Sequence, residues 1–401
     1  MIYDLFLVLF VLGMAPKIIW QKARGKRFCT LGDRFGRNPP VGPWAKKIWI
    51  HAVSVGEIRA AEPLIRQLRQ SDPGVSILVT TTTMTGFEEA GRSLQADLLR
   101  FLPLDFSWVM RRWIRSFAPS LLIFIEGDVW PNLVRQAKCA GVKTALASGK
   151  ISEKSARRLR RFPFLAKRLY RPLDALCVQN EEYRSRFAAL VERPIAITGN
   201  LKLDVEIKPL DPSGVRDRFN LPTDLVVTLS CTHAPEEKEL LYEMLTLWKR
   251  LPKVVLFLAP RHPERFEAAA AILDELGISF CRWKEKREGE RVILVDAMGQ
   301  LPYCYVLSRI AVVAGSFSSK IGGHNVLEPL FYGCPVLFGP HMEKQKEFAR
   351  IAIESKSGWQ VRQDELSQAL FEKISLERPL VADISKRGAA KSTLEVIKQI
   401  W

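Results

Sequence analysis

Two doubly wound α/β domains are what the sequence predicts, and three observations predict them. Short apolar runs alternate with helical patterns, the alternation occurs twice over, and 401 residues exceed the one or so core of about 150–200 residues that an ordinary domain builds. The first half carries KIWIHA (47–52), SILVTTTT (76–83), LLIFIE (121–126), KTALAS (143–148), ALCVQN (175–180) and IAITGN (195–200). The second carries LVVTLS (225–230), KVVLFLAP (253–260), RVILVDA (291–297), IAVVAGS (310–316) and CPVLFG (334–339). Near-continuous apolar runs ending in polar loops are the mark of parallel strands covered on both faces. The Pro- and Gly-containing KPLDPSG (208–214) reads as the boundary. The expected organisation is an N-terminal segment at 1–27, one α/β domain at 28–207 and a second at 208–401. Ligands of such domains lie beyond the carboxyl ends of the strands, so two domains facing a central cleft are expected to bind there.

The chain is not disordered in composition, with 47% apolar residues, and its formal charge of +17 favours polyanionic partners. The basic residues are dispersed rather than gathered into one stripe, and no recognition-helix, RNP or zinc-finger pattern occurs, so nucleic acid is not expected as a partner. The seven cysteines are odd in number, widely spaced and free of CxxC pairs, so they suggest neither a disulfide framework nor a zinc site and read as reduced thiols. No HxH or HxxxH spacing occurs, and no metal is expected.

LFLVLFVLGMA (5–15) is uncharged, and KIIWQKARGKR (17–27) adds five cations after Pro16. The apolar run is short of the roughly 20 residues a spanning helix needs. It is therefore expected to pack on the body or to act as a membrane-associated helix, a monotopic anchor with its basic flank on anionic lipid head groups.

Chemistry is expected where strands end. In HAVSVGE (51–57), Ser54-x-x-Glu57 is a capping box before a helix. Glu57 also has apolar neighbours in Val53, Val55 and Ile58, and burial would raise its pKa towards that of a general base. Gly56 would let a substrate hydroxyl approach. Thr85 to Glu88 offers a second box. EGDVWPN (126–132) ends its strand with Glu126 and Asp128, either an acid–base pair or a cap and a solvated charge. SARRLRRF (155–162), with Lys150 upstream, is a solvated basic face or a surface for a phosphate-bearing acceptor, through Arg157 and Arg158. After IAVVAGS, the loop with Lys320, Gly322, Gly323, Asn325 and Glu328 reads as an anion site whose free amides favour phosphate, with Pro329 expected at the first helical position. Arg261 and His262, directly after KVVLFLAP, suit a phosphate or an ion pair with Glu264.

Together, HAVSVGE, EGDVWPN, SGKIS, TGNLK, CTHAPEE, RHPER, DAMGQLPYCY, GGHNVLEP and FGPH, in this order along nearly the whole chain, resemble the Kdo transferases, which attach 3-deoxy-D-manno-octulosonic acid to lipid A precursors. The resemblance implies a GT-B fold at the cytoplasmic face of the bacterial inner membrane, an acceptor-binding first domain, a CMP-Kdo-binding second domain and no metal cofactor. It implies Glu57 as the base and Glu126 as an acceptor-side carboxylate. It also implies donor contacts by Thr232, His233, Arg261 and His262, by Met298 and Gly299, and by Asn325 and Glu328. Three positions depart from the family: Gly127-Asp128 stands where Thr-Glu is usual, Cys231 where Ser is, and Gln300 where Glu is. The alternative enzyme class is another GT-B activity, on UDP-sugars.

Overall fold

The computed structural model describes residues 3–5, 7–9, 11, 13, 31–42, 46–204, 210–222, 225–375 and 388–401. The chain forms two compact units, Met1–Glu206 with Ser385–Trp401, and Ile207–Ile384.

The first unit holds β1 (Lys47–His51), β2 (Ser76–Thr81), β3 (Leu98–Phe101), β4 (Leu121–Ile125), β5 (Lys143–Gly149), β6 (Ala175–Val178) and β7 (Ala196–Ile197). They make one parallel sheet in the order β3-β2-β1-β4-β5-β6-β7. The central strands are apolar on both faces because both are covered. Ile48 and Ile50 enter one cluster, with Leu64 and Leu68, and Trp49 enters the other, with Phe117 and Phe124. The sheet reverses direction between β1 and β4, so loops from both strands open at one switch point. Glu126 lies in one of those loops, and Glu57 in the first turn of the helix that follows the other.

The second unit holds β8 (Val226–Thr232), β9 (Val255–Pro260), β10 (Phe280–Arg282), β11 (Val292–Leu294), β12 (Ile310–Val313), β13 (Val336–Phe338) and β14 (Gly358–Gln360). Their order is β10-β11-β9-β8-β12-β13-β14, also parallel, with the switch between β8 and β12.

The last helix differs from the expected boundary. Residues 385–401 belong to the first unit, not to a domain running to the C-terminus. Ala389, Ala390, Leu394 and Ile397 fill the cluster that contains Ile48 and Leu64. Burying Leu394 and Ile397 contributes roughly 3–6 kcal/mol. Asp204 fixes the helix start, accepting from the amides of Gly388 at 2.8 Å and Ala390 at 2.7 Å.

No helix among the described residues is long and apolar enough to cross a membrane. The basic flank expected at 17–27 lies wholly outside the described residues, as does residue 16. The described part of the preceding segment is helical and two-sided. Leu7 is buried in the core, with Tyr3 and Val11 against it, while Leu5, Val8 and Leu9 face outwards. Asp4 ties it down, accepting from the Ser107 amide at 2.8 Å and from Asn132 Nδ2 at 2.9 Å.

Candidate functional site

Two groups of polar residues stand at the carboxyl edges of the two sheets, one in each unit. In the first unit, the helix Val55–Ser71 follows β1 and Ser54. The expected capping box is not formed. Ser54 makes no cap bond, and Glu57 reaches back to the Val53 amide, at 2.6 Å, rather than to that of Ser54. The second expected box is displaced as well, since Thr83, not Thr85, caps its helix by accepting from Gly86. Glu57 is half-buried, and burial pushes its pKa up to about 7. The Val53 N–H and Lys150 oppose the rise, and the nearby Glu126 and Asp128 charges add to it. A carboxylate poised near neutrality suits proton abstraction better than an ordinary exposed one.

Glu126 is almost fully buried, with a left-handed φ of 64°. One of its oxygens meets Lys150 at 2.6 Å and the other meets Lys202 at 2.5 Å. A Cβ on Gly127 would lie 3.0 Å from the Lys150 carbonyl, so a side chain there needs its neighbour to give by a few tenths of an ångström. At Gly56 a Cβ would lie 3.5 Å from Lys202 Nζ, an ordinary van der Waals distance, so the Lys202 ammonium stands next to the glycine. Lys202, in TGNLK, is thus a member of the site that its sequence context did not disclose. Lys150 belongs to this ion group rather than to the arginine helix. Asp128 is held above the usual carboxylate range by burial and by Glu126. Asn132, at the end of the same motif, is wholly buried and structural: its amide donates to Asp105 at 2.8 Å and its side chain to Asp4. His51 is also a core residue, with Nδ1 at 2.9 Å from Thr80 Oγ1 and a pKa pushed down to about 3 by burial.

Arg157 and Arg158 lie on the exposed helix Glu153–Arg161. With Lys154, Arg161 and Phe162 they line a shallow hollow of about 690 Å³. Phe162, Phe164, Leu165 and Trp108 are exposed aromatic or aliphatic surface of the same unit.

In the second unit, β8 ends at Thr232, which donates to the buried Glu237 at 3.1 Å. Glu237 in turn holds Arg265. Among the described residues Arg261 makes no ion pair with Glu264, and its guanidinium is exposed at the end of β9. Glu236 accepts from the Gly315 amide and so fixes the loop after β12; burial pushes its pKa up to about 7. In that loop Gly322 and Gly323 do not offer free amides. Gly322 donates to the Ser318 carbonyl at 3.3 Å and Gly323 to that of Gly315 at 2.9 Å. Their positive φ and lack of Cβ serve packing instead, since a Cβ on Gly323 would lie 2.6 Å from Met342 Sδ. The helix Leu327–Phe331 starts after Val326, so Pro329 falls at its third residue, where an amide has no intrahelical acceptor to lose. Asn325 accepts from Leu327 at 3.0 Å. Burial raises the pKa of Cys231 and of Tyr305, and the charge of Glu328 adds to both rises. Lys320 and Met298 are exposed, and Gly299 has a φ of 80°. His324, of GGHNVLEP, contacts His233 through the two Nε2 atoms at 2.7 Å. Among the described residues no group of three or more His, Cys, Asp or Glu is arranged to hold a metal ion.

Residues 29–205 match a family described as 3-Deoxy-D-manno-octulosonic-acid transferase (kdotransferase). A 3-deoxy-D-manno-octulosonic acid transferase of Chlamydia muridarum is 33% identical over 397 residues, which cover 96% of this chain and 92% of the relative. That of Bordetella pertussis is 33% identical over 364 residues, covering 85% and 84%. Among solved structures, the UDP-GlcNAc 2-epimerase of Neisseria meningitidis matches with a TM-score of 0.61 at 13% identity, over 88% of this chain and 100% of that one. Acinetobacter baumannii MurG gives 0.51 at 12%, over 89% and 98%. At those identities the two show the fold alone, which is GT-B-like.

Proposed function

Because the chain belongs to the Kdo transferase family of glycosyltransferases, we propose that it moves Kdo from CMP-Kdo to a lipid A precursor with inversion, using Glu57 as the base. The observation that carries the role of Glu57 is its carboxylate at the switch point of the first sheet, with a pKa pushed up to about 7. A hydroxyl of the acceptor sugar forms the new bond to the anomeric carbon of Kdo and gives its proton to Glu57. The bond from that carbon to the phosphate oxygen breaks, its electron pair leaves with the phosphate, and CMP departs. Positive charge develops on the sugar and negative charge on the phosphate. With the Gly322 and Gly323 amides already engaged, side chains are left to meet the phosphate. Arg261, Lys320 and His233 at the carboxyl edge of the second sheet are suited to it, with Asn325, Glu328, Met298 and Gly299 around the nucleotide.

Arg261→Ala should weaken CMP binding by about 10- to 100-fold, the worth of one charge-assisted hydrogen bond, with the melting temperature unchanged because the guanidinium is exposed. Isothermal titration with CMP checks this, and unchanged affinity removes Arg261 from the donor site. Parallel titrations with UDP separate the alternative UDP-sugar reading, which requires UDP to bind in place of CMP.

The acceptor reading rests on the first unit, where Glu126, Lys150 and Lys202 adjoin Glu57 and the arginine helix presents Arg157 and Arg158 to phosphate groups. Exposed Leu5, Leu9, Phe162 and Phe164 in the same unit would enter the interface of a membrane, with the basic residues on anionic head groups at the cytoplasmic face of the inner membrane. Removing the whole N-terminal segment is a poor test, because Leu7 and Asp4 are part of the fold. Leu5→Ser with Leu9→Ser alters only outward-facing groups. That double variant should cosediment with anionic vesicles several-fold less than wild type at equal melting temperature, and unchanged cosedimentation would exclude this helix as the anchor.

A further inference from the structure

His233 precedes the helix Ala234–Arg250, and His324 lies in the loop after β12. Their rings are within 9° of parallel, and the two Nε2 atoms are 2.7 Å apart. A contact that short admits one proton: two N–H groups would collide, and two lone pairs would repel. The neutral pair therefore has one ring protonated at Nε2 and donating, while the other accepts at Nε2 and carries its proton on Nδ1. Two nitrogens are unprotonated, and of these the accepting Nε2 is engaged in the contact, so the free lone pair is the Nδ1 of the donating ring.

The charges around the pair are mostly positive. Arg261 and His262 face it from the end of β9, Arg265 from the turn beyond, and Lys344 from the segment after β13, where its side chain lies along Gly322. The His262 ring is 5.7 Å from that of His233. The acids nearby are already engaged: Glu236 on the Gly315 amide, and Glu237 on Arg265 and Thr232. Burial and these cations hold both histidines below the usual range, His324 at about 4. A pair kept neutral by burial and by cations is poised to change state when an anion cancels those cations.

We propose that the His233–His324 pair takes up one proton when a phosphate monoester dianion binds at this edge, so that the departing CMP meets an imidazolium. The proposal rests on the donor reading of the second unit and deepens it. The proton comes from solvent and enters at the vacant Nδ1, while the shared Nε2–H···Nε2 contact persists. The two rings then titrate as a unit, not as separate groups. The free pair binds fewer protons than the CMP-bound one, so CMP affinity must fall as pH rises between the free and bound pKa values, by up to about tenfold per pH unit.

The test is calorimetric titration of the full chain with CMP, between pH 6.5 and 8, in buffers of different ionisation enthalpy. The expected result is net uptake approaching about one proton per CMP. CMP itself can only release a proton here, since a phosphate monoester has its second pKa at about 6, so the sign separates ligand from protein. Cytidine, which lacks the phosphate, should produce no uptake, and His324→Asn should bind CMP with no uptake and a flat pH dependence. For wild type, 15N spectra of the imidazoles should show both nitrogens of one ring moving to imidazolium shifts on adding CMP, a readout that survives even if the variant does not fold. CMP binding without uptake, equal uptake in His324→Asn, or neutral imidazole shifts in the complex would each overturn the proposal. Failure of CMP to bind at all would overturn the donor reading and this proposal with it.

Discussion

Glu57→Gln lowers kcat by about 10²- to 10⁴-fold, the worth of a positioned general base, and does so without loss of melting temperature. The amide can still accept from the Val53 N–H, so the local hydrogen bond persists, but it cannot take the proton. In the wild type, kcat should rise with pH through about 7, because only the ionised carboxylate is a base. The stability consequence has the opposite sign. A carboxyl whose pKa is raised in the fold stabilises it while protonated, below its unfolded value near 4.5, and that contribution is lost as pH rises through about 7. At pH 8 the Gln variant therefore melts at the same temperature as wild type or higher. A variant that loses stability and turnover in proportion would make Glu57 a structural cap; a variant that keeps its turnover would move the base to Glu126 or Asp128.

Glu126→Gln is expected to act on Glu57 through charge. Glu126 repels Glu57 while engaging two lysines, so neutralising it both removes a nearby negative charge and leaves Lys150 and Lys202 free to stabilise the Glu57 carboxylate. The acid limb of the kcat profile should shift to lower pH. Stability should fall by about 1–3 kcal/mol, less than for a fully buried pair because Lys150 and Lys202 are 43% and 24% exposed. Rate profiles from pH 5 to 9 and a chemical-denaturation curve measure the two effects. An unmoved acid limb would mean that Glu126 does not set the protonation of Glu57.

Strand content was legible where strands are buried on both faces, since a strand such as Leu121–Ile125 can then be apolar at every position. β3, β10 and β14 were not, because they lie at or next to the sheet edges and are short. Leu98–Phe101 is only partly covered, so its sequence lacks a continuous apolar run. The return of the last helix to the first unit was also invisible. An amphipathic helix records that it has an apolar partner but not which one, and the Asp204 cap joins residues 184 positions apart. Within the candidate site the sequence located the switch-point loops and their acids, because strand ends and their polar residues are adjacent in the chain. The pairings of Lys202 with Glu126 and of His324 with His233 were missed for the converse reason. Lys202 reaches Glu126 from beyond β7, and His324 meets His233 across 91 positions, so only the fold brings them together. The glycine loop misled in a further way, since Gly322 and Gly323 look the same in sequence whether glycine is there for free amides or for close packing.

The most direct test of the central claim is to incubate the purified chain with CMP-Kdo and a lipid A precursor, then follow both CMP release and the mass of the lipid product. CMP release should be matched by Kdo-bearing lipid, with none of that product when UDP-N-acetylglucosamine replaces CMP-Kdo. Intact CMP-Kdo alongside turnover or epimerisation of the UDP-sugar would contradict that claim.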